Sequence, residues 1–262
     1  MSKEFKINQL FATQNACYKA NKKHTPKGIM WHSTGANNPK LSRYVGPDDG
    51  QLGKNPNNNH WNQHKPDGRS VCVHAWIGKL ANGEVATYQT LPWDMVGWHS
   101  GSGSKGSANT QGYIGFEICE DGLNDKTYFD KVYNEAINLS VFLCKKYNIP
   151  VNSTTIIDHT EGNKMGIASN HGDVRHWFSK FGKTMDDVRK DIVFKLKGDV
   201  VVGSVFKDVA DNRWSANDVA KAAKLGIIVG DDKGNFNPTG GLTREQAAVI
   251  AVRIIDHVKG VK

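Results

Sequence analysis

The chain has 262 residues, 38% of them hydrophobic, with seven Trp and a formal net charge of +8. That composition excludes a disordered chain, and the length fits one medium domain plus one small module. No window is apolar enough to cross a bilayer, and the first thirty residues hold no signal-peptide run, so the expectation is synthesis in the cytoplasm without membrane insertion.

In chain order, residues 28–31, 70–77, 84–89, 113–119 and 154–157 predict strands: short, apolar and bounded by turns. Ala81-Asn82-Gly83 predicts a hairpin between two of them, because Asn-Gly tolerates positive φ. Residues 37–69, polar and rich in Asn, Gly and Pro, predict a long irregular surface segment, and the Gly/Ser-rich stretch 99–112 predicts the border of a cleft. A helix is predicted over 128–147, where Phe129, Val132, Ala136, Leu139, Phe142 and Leu143 recur at helical spacing before Asn148 and Pro150. A second starts at Thr184, whose pairing with Asp187 has capping-box form, with Met185, Val188 and Ile192 as its apolar stripe. Residues 198–204 read as a linker. Beyond it, Ser215-Ala-Asn-Asp218 and Thr243-Arg-Glu-Gln246 predict the starts of two short helices, with Gly226 as a left-handed cap after the first.

Ten histidines invite a search for a metal site. His32 closes one predicted strand and His159 another, while His171 and Asp173 stand two apart. A strand end followed by a loop lets a rigid scaffold aim an imidazole into a cleft. Neutral imidazole and carboxylate suit Zn²⁺, and catalytic zinc sites commonly use three protein ligands with a fourth position open. The candidate base is Glu117: Ile114, Phe116 and Ile118 face one way along their strand, and Glu117 faces the other with Tyr113 and Gly115. A carboxylate on such a strand either pairs with a cation or serves a site, and both readings stay open. His60 and His64 have helical metal spacing in a segment that is a poor helix former. His74 shares a strand face with Trp76 and reads as structural, and His24 and His176 have no recognisable context. Four widely spaced cysteines with no CxxC pair do not read as a disulfide scaffold and argue against an all-cysteine zinc site. The charge surplus lies mainly in the first 200 residues and favours polyanions, but no helix-turn-helix pattern or zinc-finger spacing supports nucleic acid.

The ordered motifs Trp31-His32-Ser33-Thr34-Gly35, Trp98-His99-Ser100-Gly101, Ile114-Gly115-Phe116-Glu117, Asp158-His159 and His171-Gly-Asp173 resemble the type-2 N-acetylmuramoyl-L-alanine amidases. Phage endolysins of the amidase type and peptidoglycan recognition proteins share that fold. The resemblance covers roughly residues 5–195. It implies an α/β fold, a central mixed β-sheet flanked by helices, with zinc in a surface groove. It implies His32, His159 and Asp173 as the metal ligands and Glu117 as the residue that helps activate water. A family lysine that steadies the oxyanion falls on His171. The segment between His159 and Asp173 is longer than usual in the family, which keeps His171 open as an alternative ligand; Asp173 is preferred because its spacing of two from a cationic residue is kept. Trp98, His99 and Asn109 are expected to line the substrate groove, a packed Trp-His pair being the alternative for His99. The implied activity is zinc-dependent hydrolysis of the amide between the lactyl group of N-acetylmuramate and L-alanine of peptidoglycan, with a non-catalytic peptidoglycan-binding protein as the rival.

Phe206-Lys-Asp-Val209, Trp214, Lys224-Leu-Gly-Ile-Ile-Val-Gly230, Gly234-Asn-Phe-Asn-Pro238 and Leu242-Thr-Arg-Glu245 resemble one S-layer homology repeat, a small helical C-terminal module. The expected division is a catalytic domain over 1–197, a linker over 198–204 and a wall-binding module over 205–262. The resemblance implies a secondary cell-wall polysaccharide as partner, with Arg244 as its anion contact. The family usually carries three repeats, so the single one here leaves a homo-oligomer open. Both an endolysin and an autolysin fit, and the missing leader favours an endolysin that reaches the wall after release.

Overall fold

The computed structural model describes residues 5–196, 205–210, 213 and 215–259. The predicted linker and Trp214 lie outside the described residues. Two compact units are present, one spanning Phe5–Leu196 and the other lying beyond residue 204.

The larger unit runs β1 (Ile7–Gln9), α1 (Ala16–Ala20), β2 (Gly28–Asn37), β3 (Ala75–Lys79), β4 (Val85–Gln89), β5 (Tyr113–Glu120), α2 (Lys126–Tyr147), β6 (Ile156–Asp158), α3 (His159–Lys164), α4 (Arg175–Phe178) and α5 (Met185–Leu196). The six strands form one sheet in the order β1-β4-β3-β5-β2-β6. Only β3 and β4 pair antiparallel, so the sheet is mixed, as expected. The antiparallel pair turns at Asn82-Gly83, where Gly83 takes φ 83° and the Asn82 side chain accepts the Glu84 amide.

Side chains alternate across a strand, and this sorts core from site. Ile29 and Trp31 of β2 and Ile114, Phe116 and Ile118 of β5 face α2, α4 and α5, packing with Phe129, Trp177 and Phe178. Each of these larger side chains contributes about 1.5–3 kcal/mol by leaving water. Helix α2 is capped by the Asp125 carboxylate at Tyr128 N and ends at Asn148 in the left-handed region. The predicted capping box of α5 is formed in both directions between Thr184 and Asp187.

Three expectations need revision. Residues 37–69 are not merely a surface excursion, because Leu41, Tyr44, Val45 and Leu52 are buried against Trp76 and Tyr88 on the other sheet face. The strand predicted from residue 70 begins only at Ala75; Cys72 instead pairs in isolation with Trp98. His159 does not close a strand. It is the first residue of α3, whose N-cap Asp158 forms a capping box with Glu161.

His74 is structural: its Nε2 lies 2.7 Å from the Met95 carbonyl, and its Nδ1 accepts the Gly115 amide at 3.1 Å. Burial pushes its pKa down to about 4. The unfolded ring titrates near ~6.5, so on acidification the unfolded chain takes up the proton first. The resulting stability is complete above about pH 6.5 and is lost as pH falls through 4, a change of about 3 kcal/mol. Urea unfolding at pH 7 and pH 4.5, with the His74 ring proton followed by NMR, checks this; a flat stability over that interval contradicts it.

In the smaller unit, α6 (Ala216–Lys224) and α7 (Arg244–Lys259) flank loops closed around Phe206, Val209, Ala216 and Val219. Gly226 caps α6 at φ 70° as predicted. The Thr243–Gln246 box forms, but Ser215 has helical φ/ψ and makes no side-chain cap. Arg244 opens α7 and is exposed.

Candidate active site and metal centre

The face of the sheet opposite α2 carries the polar residues. His32 is in register with Glu117 on the neighbouring strand, and Trp31 with Asp158 on the other side. Regular pairing of β2 ends at Ser33, beyond which the register shifts. His159 follows Asp158 directly, and the Asp158 cap fixes the start of its helix. Asp158 is itself fully buried and paired with Arg175. Asp173 comes from the loop before α4, where the Val174 amide donates to the Ser33 hydroxyl. Three distant segments thus meet midway along β2, so His32 does not close its strand as expected but sits where the regular pairing with β5 gives out.

The donor atoms converge. His32 Nδ1 lies 2.8 Å and His159 Nδ1 3.0 Å from Asp173 Oδ2, and the two nitrogens are 3.3 Å apart. Among the described residues these three form the candidate metal cluster. Ligands ~2.0–2.2 Å from a tetrahedral zinc stand about 3.3–3.5 Å from one another, so a small outward adjustment of this set fits the ion. The electrostatics suit it too. Burial holds His32 below its ordinary pKa, against the pull of Asp173, which keeps the imidazole neutral. Burial opposes ionisation of Asp173, yet the adjoining His159 and His32 rings win and hold the carboxyl far below the usual range. Two imidazole nitrogens and one carboxylate make a zinc donor set.

Glu117 is the one partly exposed residue of β5, whose other seven are buried. Its Oε2 is shielded from water and has no hydrogen-bond partner. Burial, then repulsion from Asp173 and Glu120, pushes its carboxyl pKa well above the ordinary value. Cys119 lies two residues on, sealed in the cluster with Tyr44 and Trp76.

These groups open into a groove of about 920 Å³ whose lining includes Glu117, His159 and Asp173. His171 is exposed at its rim and stacks on His159 at 4.9 Å, outside the donor cluster. Trp98, His99 and Asn109 line the groove as well. The Asn109 oxygen, however, is used internally: it accepts the His99 and Ser100 amides at 3.0 and 3.1 Å. The lining also includes Arg43, Tyr44, Trp61 and Arg69, which the sequence places inside an irregular segment. The Arg69 guanidinium lies 5.9 Å over the Trp61 ring. Nothing in local periodicity marks these residues. By contrast, the Asp158-His-Thr-Glu161 capping box does carry a local sequence pattern.

The sequence model of the N-acetylmuramoyl-L-alanine amidase family matches residues 22–176, which include every residue of this site. The chain belongs to that family. The amidase CwlH of Bacillus subtilis (strain 168) is 45% identical over 65 residues, 25% of this chain, and the chain spans about a quarter of that relative's length (24%). The amidase-family fold is shared with the Staphylococcus aureus hydrolase AmiA, 17% identical, covering 74% of this chain and 84% of that one at TM-score 0.50. It is shared equally with the catalytic domain of PlyG, 17% identical, covering 73% and 96% at TM-score 0.50. The S-layer homology model matches residues 205–248.

Proposed function

We propose that this amidase-family chain is a zinc-dependent peptidoglycan hydrolase that cuts the amide between the N-acetylmuramoyl lactyl group and L-alanine. The observation that carries the reading is the meeting of His32, His159 and Asp173 beside an unpartnered Glu117 carboxylate in an open groove. Bound zinc would supply polarisation of the amide carbonyl and acidification of water. Glu117 takes a proton from the attacking water as its oxygen bonds to the carbonyl carbon. His171, on the rim, donates an N–H to the oxygen that gains charge. The C–N bond then breaks, and the proton held by Glu117 passes to the leaving L-alanine amine. Trp98, His99, Trp61 and Arg69 all line the groove, giving apolar surface for sugar and peptide and a cation for carboxylates.

The test is digestion of purified peptidoglycan. New L-alanine amines without new reducing ends, abolished by chelator and restored by zinc, support an amidase. Reducing ends in their place make the protein a glycosidase.

The proposed division follows the same logic: 1–197 catalytic, 198–204 linker, 205–262 a module for secondary cell-wall polysaccharide with Arg244 as an anion contact. The protein then acts on the bacterial wall, as an endolysin or an autolysin. Deleting 205–262 is expected to weaken co-sedimentation with cell walls by tenfold or more, about 1.4 kcal/mol, while cleavage of soluble muropeptide is spared. Undiminished sedimentation removes the anchoring role.

A further inference from the structure

The geometry points to two tautomer locks behind the histidine donors, His99 behind His32 and Ser169 behind His159, each ending on a backbone carbonyl. The inference deepens the metal reading above and rests on it.

A carbonyl oxygen accepts hydrogen bonds and never donates one. The Tyr113 carbonyl lies 3.3 Å from His99 Nε2, so that nitrogen carries the proton and the neutral ring leaves Nδ1 as an acceptor. His99 Nδ1 is 3.0 Å from His32 Nε2, which therefore donates to it. The lone pair of His32 is left on Nδ1, the nitrogen that faces Asp173 and His159. The second chain ends the same way. The Ser169 hydroxyl donates to the Ser100 carbonyl at 3.2 Å and so accepts from His159 Nε2, also at 3.2 Å. His159 Nδ1 keeps its lone pair, directed at the same point.

Asp173 alone would draw a proton onto each Nδ1. The two chains place those protons on Nε2 instead, so two lone pairs 3.3 Å apart and a carboxylate oxygen face one point. A cation there satisfies both lone pairs and the carboxylate together. The locks are themselves held. A Cβ at Gly115 would come 2.4 Å from His99 Nδ1, so glycine lets that ring lie on β5. Asn109 clamps the amides of His99 and Ser100, and the Ser169 amide donates to the Ser100 carbonyl at 2.9 Å. His99 and Ser169 act through the ligands and are positioning residues; partners of this kind, hydrogen-bonded to a ligand's outer nitrogen, fix its ring and its basicity.

The experiment measures zinc affinity of the full chain by competition with a chromophoric chelator, for wild type, His99→Phe, His99→Asn and Ser169→Ala. His99→Phe and Ser169→Ala are each expected to bind about 10–100-fold more weakly. His99→Asn, whose amide oxygen can still accept from His32, is expected to recover part of the loss. Long-range ¹H–¹⁵N spectra of the zinc-loaded wild type are expected to show the proton on Nε2 of both His32 and His159. Should His99→Phe fail to fold, Ser169→Ala decides alone, since it removes a single oxygen. Unchanged affinity in the folded variants, or a proton on Nδ1 of either ligand, overturns the locks while leaving the zinc reading intact. A wild type that takes up no zinc overturns both.

Discussion

Glu117→Gln is expected to lower kcat on peptidoglycan by about 10²–10⁴-fold, with KM and zinc stoichiometry close to wild type. The substitution keeps the size of the side chain and removes both its charge and its capacity to take a proton. Its environment is what makes the residue a base. The carboxylate sits on a buried strand with Oε2 unpartnered, beside His32 in the parallel register. A structural carboxylate in that position would be expected to hold a cation; Arg69 is the nearby guanidinium, but its ion pair is with Asp67 at 3.6 Å. Burial and the neighbouring carboxylates raise the Glu117 pKa, which moves it towards the range where a general base is effective near neutrality. Kinetics on soluble muropeptide, with zinc measured on the same samples, give the answer. Full activity in the variant removes Glu117 from the mechanism, and loss of zinc reassigns it to holding the site together.

Asp173→Ala is expected to abolish stoichiometric zinc binding and reduce hydrolysis to background. Asp173 Oδ2 is the atom both histidine nitrogens face, and it supplies the negative charge in a set otherwise made of imidazoles. His171→Ala is the informative partner. It stacks on His159 without joining the donor atoms, so its loss is expected to preserve zinc and to lower kcat, by about 10²-fold for a lost oxyanion donor. Zinc retained in Asp173→Ala and lost in His171→Ala would transfer the third ligand to His171. Metal analysis of the two purified variants distinguishes the cases without reference to activity.

Much of the sheet was legible before the structure because its signal is local. The run at 113–119 alternates core-facing and site-facing residues at period two, and the 128–147 stripe at period 3.6 describes α2 to within two residues. The short elements were not legible. Strand β1 has three residues and α4 has four, too few for any periodicity to build up. The groove wall of Tyr44, Trp61 and Arg69 was hidden for another reason: it is held by long-range contacts such as the stacking of Tyr44 on Trp76 at 4.7 Å, within a segment whose composition suggests only loop.

The sequence by itself determined which residue types were available for chemistry and which strand face each would occupy, because alternation along an extended chain is a property of covalent geometry. The tertiary structure alone decided which nitrogen of each histidine faces the cluster and what stands behind the other. Those facts depend on a Tyr113 carbonyl, a Ser100 carbonyl and a missing Cβ at Gly115, brought together from across the fold. Hydrogen-bond direction is set by the partner at the far end of each chain, and only folding supplies that partner.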